Sequence, residues 1–127
     1  MRMFFDTSVL VYYVERVEPW LEWIRAKLDV QTYEVVISDL TRMEALVQPI
    51  RDGKTSLIAN YGSIFATCEI VALSSDLIDR ATMIRSHYSF KTPDAIHLAA
   101  ALEARCDCFF TNDHRLSKFT DLAIELP

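Results

Sequence analysis

The sequence predicts an α/β fold built on a mainly parallel sheet, and three observations carry that expectation. Short apolar runs alternate with helix-periodic segments along the whole chain. No repeat, low-complexity tract or linker interrupts the alternation, so residues 1–127 are expected to form one domain. Hydrophobic residues make up 51% of the 127, enough for a sizeable core and more than a disordered chain carries.

"RMFF" before Asp6 reads as a buried first strand, and Asp6-Thr7-Ser8 can open a helix through Tyr13. "EPWLEWIRAKL" (Glu18–Leu28) places Trp20, Leu21, Trp23, Ile24 and Leu28 on one broad face, as an amphipathic helix does. "YEVVIS" (Tyr33–Ser38) is the second strand. "SDLTRMEALVQPI" then gives a capped helix with Leu40, Met43 and Val47 on one side, expected to be disturbed near Pro49. Leu57, Ile58, Tyr61, Ile64 and Phe65 mark another helix, and "EIVAL" (Glu69–Leu73) a third strand. Capping serines and apolar spacing place a helix over Ser75–Tyr88. In "FKTPDAIHLAAALEARCDCFFTND", Thr92 suits an N-cap and Pro93 the first helical position of a helix reaching Ala104. "CFFT" (Cys108–Thr111) follows as a strand, and a weak last strand lies near Leu122–Leu126. Strands joined through helices imply right-handed crossovers and a sheet covered on both faces, with ligands bound outside the carboxyl ends of the strands.

Composition excludes several function classes. Gly53 and Gly62 are the only glycines, so neither G-x-G-x-x-G nor a P-loop can be built, and the usual nucleotide-binding readings fall away. Cys68, Cys106 and Cys108 cannot all pair within one chain, and Cys106-Asp107-Cys108 lacks zinc-knuckle or C-x-x-C spacing. They are expected to be reduced thiols of a cytoplasmic protein. Charges interrupt every apolar window, so no membrane span is expected. The N-terminus reads as the first strand and not a signal peptide. A net charge of −5 argues at first against nucleic acid. Setting four clustered carboxylates aside from the 18 acids leaves 14 against 13 basic residues, a net of −1, so overall charge does not decide the partner.

Those four are Asp6 after the first strand, Glu44 on the helix after the second, Asp94 at the start of the helix leading into the fourth, and Asp113 just beyond Thr111. Each alone has an ordinary explanation: an N-cap, a solvated helix acid, a first-turn acid favoured by the helix dipole, a turn residue. By the strand-end rule all four can reach one end of one sheet. Gathered carboxylates repel and take up protons unless cations compensate them. Oxygen-only ligands suit Mg²⁺ or Mn²⁺, and the chemistry expected is metal-assisted attack of water on a phosphodiester. No Ser-His-Asp or Cys-His arrangement competes, and "DTS" lacks the second Asp of a D-x-D phosphotransfer nucleophile. His97, on the helix face of Asp94, could orient a ligand, but its first reading is a satisfied, half-buried histidine. His114, Arg115, Arg42, Lys91 and Lys118 are candidates to touch a phosphate backbone, beside the ordinary reading of solvated surface charges. Trp20 and Trp23 are expected in the core or at a protein interface.

The segments "FFDTSVLVYY", "ISDLTRMEAL", "TPDAIHLAAAL" and "FFTNDHRL" resemble, in order and spacing, the successive signatures of PIN-domain ribonucleases, above all the VapC-type toxins of toxin–antitoxin pairs. The resemblance covers essentially the whole chain. By it, Asp6, Glu44, Asp94 and Asp113 match the family's acidic quartet, expected to act as catalytic residues and metal ligands. Thr111 matches the hydroxyl residue of the last motif and Ser8 the one following the first acid, both accessory. Leu116 departs mildly from a position more often aromatic. The resemblance further implies a five-stranded parallel sheet in an α/β/α sandwich, dependence on Mg²⁺ or Mn²⁺, and RNA as substrate. It also implies a homodimer and a cognate antitoxin lying across the active-site groove. The rivals are a PIN nuclease of RNA processing without an antitoxin, and a non-catalytic PIN-like scaffold that binds RNA or protein. A scaffold has no reason to gather four like charges.

Overall fold

In the computed structural model, which describes residues 1–30 and 32–127, five strands form one sheet. They are β1 (Arg2–Phe5), β2 (Glu34–Ser38), β3 (Glu69–Val71), β4 (Cys108–Phe110) and β5 (Ala123–Glu125). Their order is β3-β2-β1-β4-β5, and every pairing is parallel. The helices are α1 (Thr7–Glu15), α2 (Trp20–Val30), α3 (Asp39–Arg51), α4 (Thr55–Phe65), α5 (Ser75–Tyr88) and α6 (Thr92–Glu103). A short 3-10 helix spans His114–Lys118.

The chain starts at the central strand, works outward to β3, and returns to the other side of β1 for β4 and β5. Right-handed crossovers in opposite directions place their helices on opposite faces of the sheet. Strand alternation supplies both cores. Phe4, Val36 and Phe109 meet Leu77, Ala81 and Leu98 of α5 and α6. The alternate residues Met3, Phe5, Ile37, Cys108 and Phe110 meet Val9, Leu10, Ile24 and Tyr61 of α1, α2 and α4. The architecture is the α/β/α sandwich expected, with five strands. Phe4 and Phe109, partners in register, stack at 5.2 Å between ring centroids. In α6 a run of buried alanines, Ala99 to Ala101, permits close approach to its neighbours, and Leu116 fills the core beside it without an aromatic ring.

Several expectations shift. Pro49 does not end α3, which continues to Arg51 with the proline ring buried. So close to the helix end the ring removes few bonds, and its burial offsets that loss. The buried stripe of α3 is Leu40, Thr41, Ala45 and Pro49, whereas Met43 and Val47 face outward. The third strand stops at Val71, two residues before the expected Leu73. At the start of α6, Lys91 is the N-cap without a side-chain bond, so Thr92 is the first helical residue. Trp20 stacks on Tyr12 and Trp23 on Phe110, which places both indoles in packing around α1 and β4. All three cysteines are free thiols. Burial pushes Cys106 up to about 12 and Cys108 up to about 11, so neither is a reactive thiolate at neutral pH. Among the described residues no helix is long and apolar enough to cross a membrane.

Truncation separates a buried side chain of α6 from an outward one of α3. Leu98→Ala is expected to cost about 2–5 kcal/mol in urea unfolding, while Met43→Ala, 60% exposed, should stay within about 0.5 kcal/mol. Equal losses would contradict the assigned faces.

Candidate active site

The strand order reverses at β1 and β4, and at that switch point the carboxyl ends of adjacent parallel strands open a crevice. Asp6 leaves β1 there, its N–H still continuing the ladder to the Phe110 carbonyl at 2.9 Å. The turn Thr111-Asn112-Asp113 leaves β4 alongside it. Asp94 enters from the first turn of α6 and Glu44 from the second turn of α3.

Hydroxyl groups hold two of these acids. The Asp6 carboxylate accepts the Thr7 N–H on Oδ1 at 2.8 Å, which caps α1, and the buried Thr111 hydroxyl on Oδ2 at 2.8 Å. Thr111 Oγ1 also accepts the Asp113 N–H at 3.0 Å, so one buried hydroxyl joins both acids after β1 and β4. Thr7 Oγ1 donates to Glu44 Oε1 at 2.7 Å, which links Glu44 to the Asp6 end of α1. His97 Nε2 lies 2.7 Å from the same Oε1. Ser8 does not touch an acid: its hydroxyl donates to Asn112 Oδ1 at 3.3 Å, and Asn112 Nδ2 donates to Tyr12 Oη at 2.7 Å. Ser8 therefore braces α1 against the β4 turn.

Electrostatics separates the four acids. Asp94 has its proton affinity raised, first by burial and then by the charges of Asp6 and Asp113, so these three lie within electrostatic reach of one another. No hydrogen-bond donor among the described residues reaches its carboxylate. Asp113 is held below the usual carboxylate range, chiefly by the Arg115 guanidinium, whose Nη2 lies 2.5 Å from Oδ2 and Nε 2.9 Å from Oδ1. Burial pushes Glu44 up, but the bonds from His97 and Thr7 together outweigh it and leave it below its ordinary value.

Among the described residues, no three His, Cys, Asp or Glu side chains stand close enough to grip an ion as they are. Glu44 is drawn toward Thr7 and His97, and Asp113 toward Arg115, which loosens the expected cluster. The donor set nonetheless fits a hard divalent cation in kind: every candidate ligand is a carboxylate oxygen, and burial with the repulsion of Asp6 and Asp113 outweighs what His97 and Arg115 offset at Asp94. A cavity of about 650 Å³ lies away from this edge, lined by Leu28, Tyr33, Val35, Ile64 and Cys68.

Sequence reasoning missed Thr7 and Asn112 and underrated His97, which is fully buried and bonded to Glu44. Thr7 carried a signal in its place beside Asp6. Asn112 carried none, since its partners come from α1.

The PIN domain family matches residues 3–122. A chain of VapBC2 from Rickettsia felis, solved bound to a DNA fragment from their promoter, superposes with TM-score 0.78 at 14% identity, covering 100% of this chain and 99% of that one. A toxin–antitoxin complex from Klebsiella pneumoniae gives 0.77 at 24% identity, with 95% of each chain covered. VapC20 from Mycobacterium tuberculosis, a sarcin-ricin loop cleaving toxin, gives 0.71 at 15% identity over 95% of this chain and 98% of that one. No curated protein sequence matches the chain.

The raised Asp94 gives a signed pH dependence. Its ionised form is disfavoured by folding, so metal-free stability is lost as pH rises from the ordinary carboxylate value through the raised one. Asp94→Asn in EDTA should therefore melt higher than wild type at neutral pH, with the gain fading as pH falls below about 4. A variant less stable than wild type at pH 7 would contradict the uncompensated charge.

Proposed function

This chain belongs to the PIN-domain family, and from that premise we propose that it is a divalent-metal-dependent endoribonuclease and the toxin of a toxin–antitoxin pair. The observation that carries the proposal is Asp94, half-buried, without a donor, and repelled by Asp6 and Asp113 at the carboxyl edge of the sheet. Asp6, Asp94, Glu44 and Asp113 are the residues that would hold Mg²⁺ or Mn²⁺. A bound ion of this kind supplies an activated water and stabilises charge on the attacking and leaving oxygens of a phosphodiester.

The chain's own residues do the rest. Thr111 and Thr7 fix the Asp6 carboxylate, and Thr111 ties the Asp113 backbone to it. Arg115 and Lys91, whose charges both act on Asp113, stand where a phosphate passing the site would meet them. RNA as the substrate is supported by the likeness to a toxin that cleaves the sarcin-ricin loop, and a cognate antitoxin by the likeness to toxin–antitoxin complexes. The proposal includes a homodimer and a cytoplasmic place of action, where three unpaired thiols stay reduced.

Because water is the attacking group, cleaved RNA should carry 5′-phosphate and 3′-hydroxyl ends. Asp6→Asn and Asp94→Asn should each lower cleavage by on the order of 100-fold or more, corresponding to several kcal/mol of charge stabilisation, while the fold persists. Full activity in excess EDTA, or 2′,3′-cyclic ends, would overturn the proposal.

A further inference from the structure

His97 lies one turn beyond Asp94 on α6 and is 1% exposed. An imidazole so buried must have its polar atoms partnered, and its two nitrogens reach different elements. Nδ1 stands 3.3 Å from the Ser38 hydroxyl. Nε2 stands 2.7 Å from Glu44 Oε1 and 3.3 Å from Thr7 Oγ1. A carboxylate oxygen only accepts, so Nε2 is the donor to Glu44.

Ser38 is itself fixed. It is the N-cap of α3, its Oγ accepting the Thr41 N–H at 3.3 Å while its own N–H donates to Thr41 Oγ1 at 3.1 Å. The start of α3 thus orients the His97 ring, and the ring in turn restrains Glu44 farther along the same helix. Both bonds to Glu44 fall on Oε1, and none among the described residues falls on Oε2. Ser38 and the contact with the Phe4 ring at 5.7 Å seat the ring in the core, and the Nε2 bond then reaches out of it to a partly exposed acid.

We propose that His97 is a positioning residue: with Thr7 it pins Oε1 of Glu44 and leaves Oε2 as the oxygen offered to a divalent cation. The role rests on the metal site of the proposed function. It is separable from helix capping, because capping involves Ser38 and Thr41 alone. Supporting partners of metal ligands typically contribute 10- to 100-fold to affinity.

The test is calorimetric titration of the full chain with Mn²⁺, without RNA. The amide of His97→Gln can reach the place of Nε2 and donate to Glu44, whereas that of His97→Asn reaches only the place of Nδ1 and Ser38. His97→Gln should bind Mn²⁺ within about threefold of wild type, and His97→Asn about tenfold or more weaker. Placed on Glu44→Gln, His97→Asn should cause no further loss. Equal affinities for the Gln and Asn variants overturn the proposal, as does an undiminished loss in the Glu44→Gln background, which would mark a general structural effect. Should neither His97 variant fold, Thr7→Val removes the other donor on Oε1 at nearly the same volume, and unchanged Mn²⁺ affinity there overturns the pinning. If wild type takes up no Mn²⁺, the metal site itself is refuted and the role of His97 falls with it; if Glu44→Gln binds as tightly as wild type, Glu44 is no ligand and the role of His97 is overturned while the site stands.

Discussion

Like charges gathered at one edge of a sheet must be held against their own repulsion, and the rest of this structure follows from how that is done. Each acid meets a different solution. Thr7 and Thr111 donate to Asp6, Thr7 and His97 to Glu44, and Arg115 neutralises Asp113. Asp94 has no hydrogen-bond donor among the described residues, and its proton affinity stays raised by burial and by Asp6 and Asp113 although His97 and Arg115 offset part of it. The packing of the sandwich is what makes these restraints possible. Flat stacking of Phe4 on Phe109 and the alanine-rich α6 bring β1, β4 and α6 close enough for acids from distant parts of the chain to act on one another.

Stability and function pull apart at this edge. A metal-free chain gains only the modest favour of the α6 dipole from a charged Asp94, and nothing in the core requires the carboxylate. Elsewhere polar groups are satisfied: no buried side-chain nitrogen or oxygen among the described residues lacks a partner. A half-buried carboxylate without a donor where the strands end is the pattern expected when a site and not the fold sets the residue.

Much of the fold was legible in the sequence because period-two strands and 3.6-residue helices leave direct marks. Phe4 against Met3 and Phe5 declares two buried faces, and Ser38 with Thr41 announces the start of α3. Pro49 misled because a proline near a helix end costs little once its ring is buried. Met43 and Val47 misled because a helical row of apolar residues does not say which way it points. At the site, Asp6 and Asp113 were legible from the strand ends they follow. The restraints on Glu44 were not, since the bond from His97 spans 53 residues and depends on how α3 meets α6. The contact of Ser8 with Asn112 was not legible either, because a sequence gives the neighbour of Asp6 but not the direction its hydroxyl takes.

The account stands or falls on whether the charge at Asp94 awaits a cation. The most direct measurement is the unfolding midpoint of the wild-type chain against rising Mn²⁺, with Asp94→Asn in parallel. Wild type should melt progressively higher as the ion fills the site, by about 2.7 kcal/mol of added stability at one hundred times the dissociation constant, and the variant should respond far less. A wild-type midpoint indifferent to Mn²⁺, or a variant that rises equally, would contradict it.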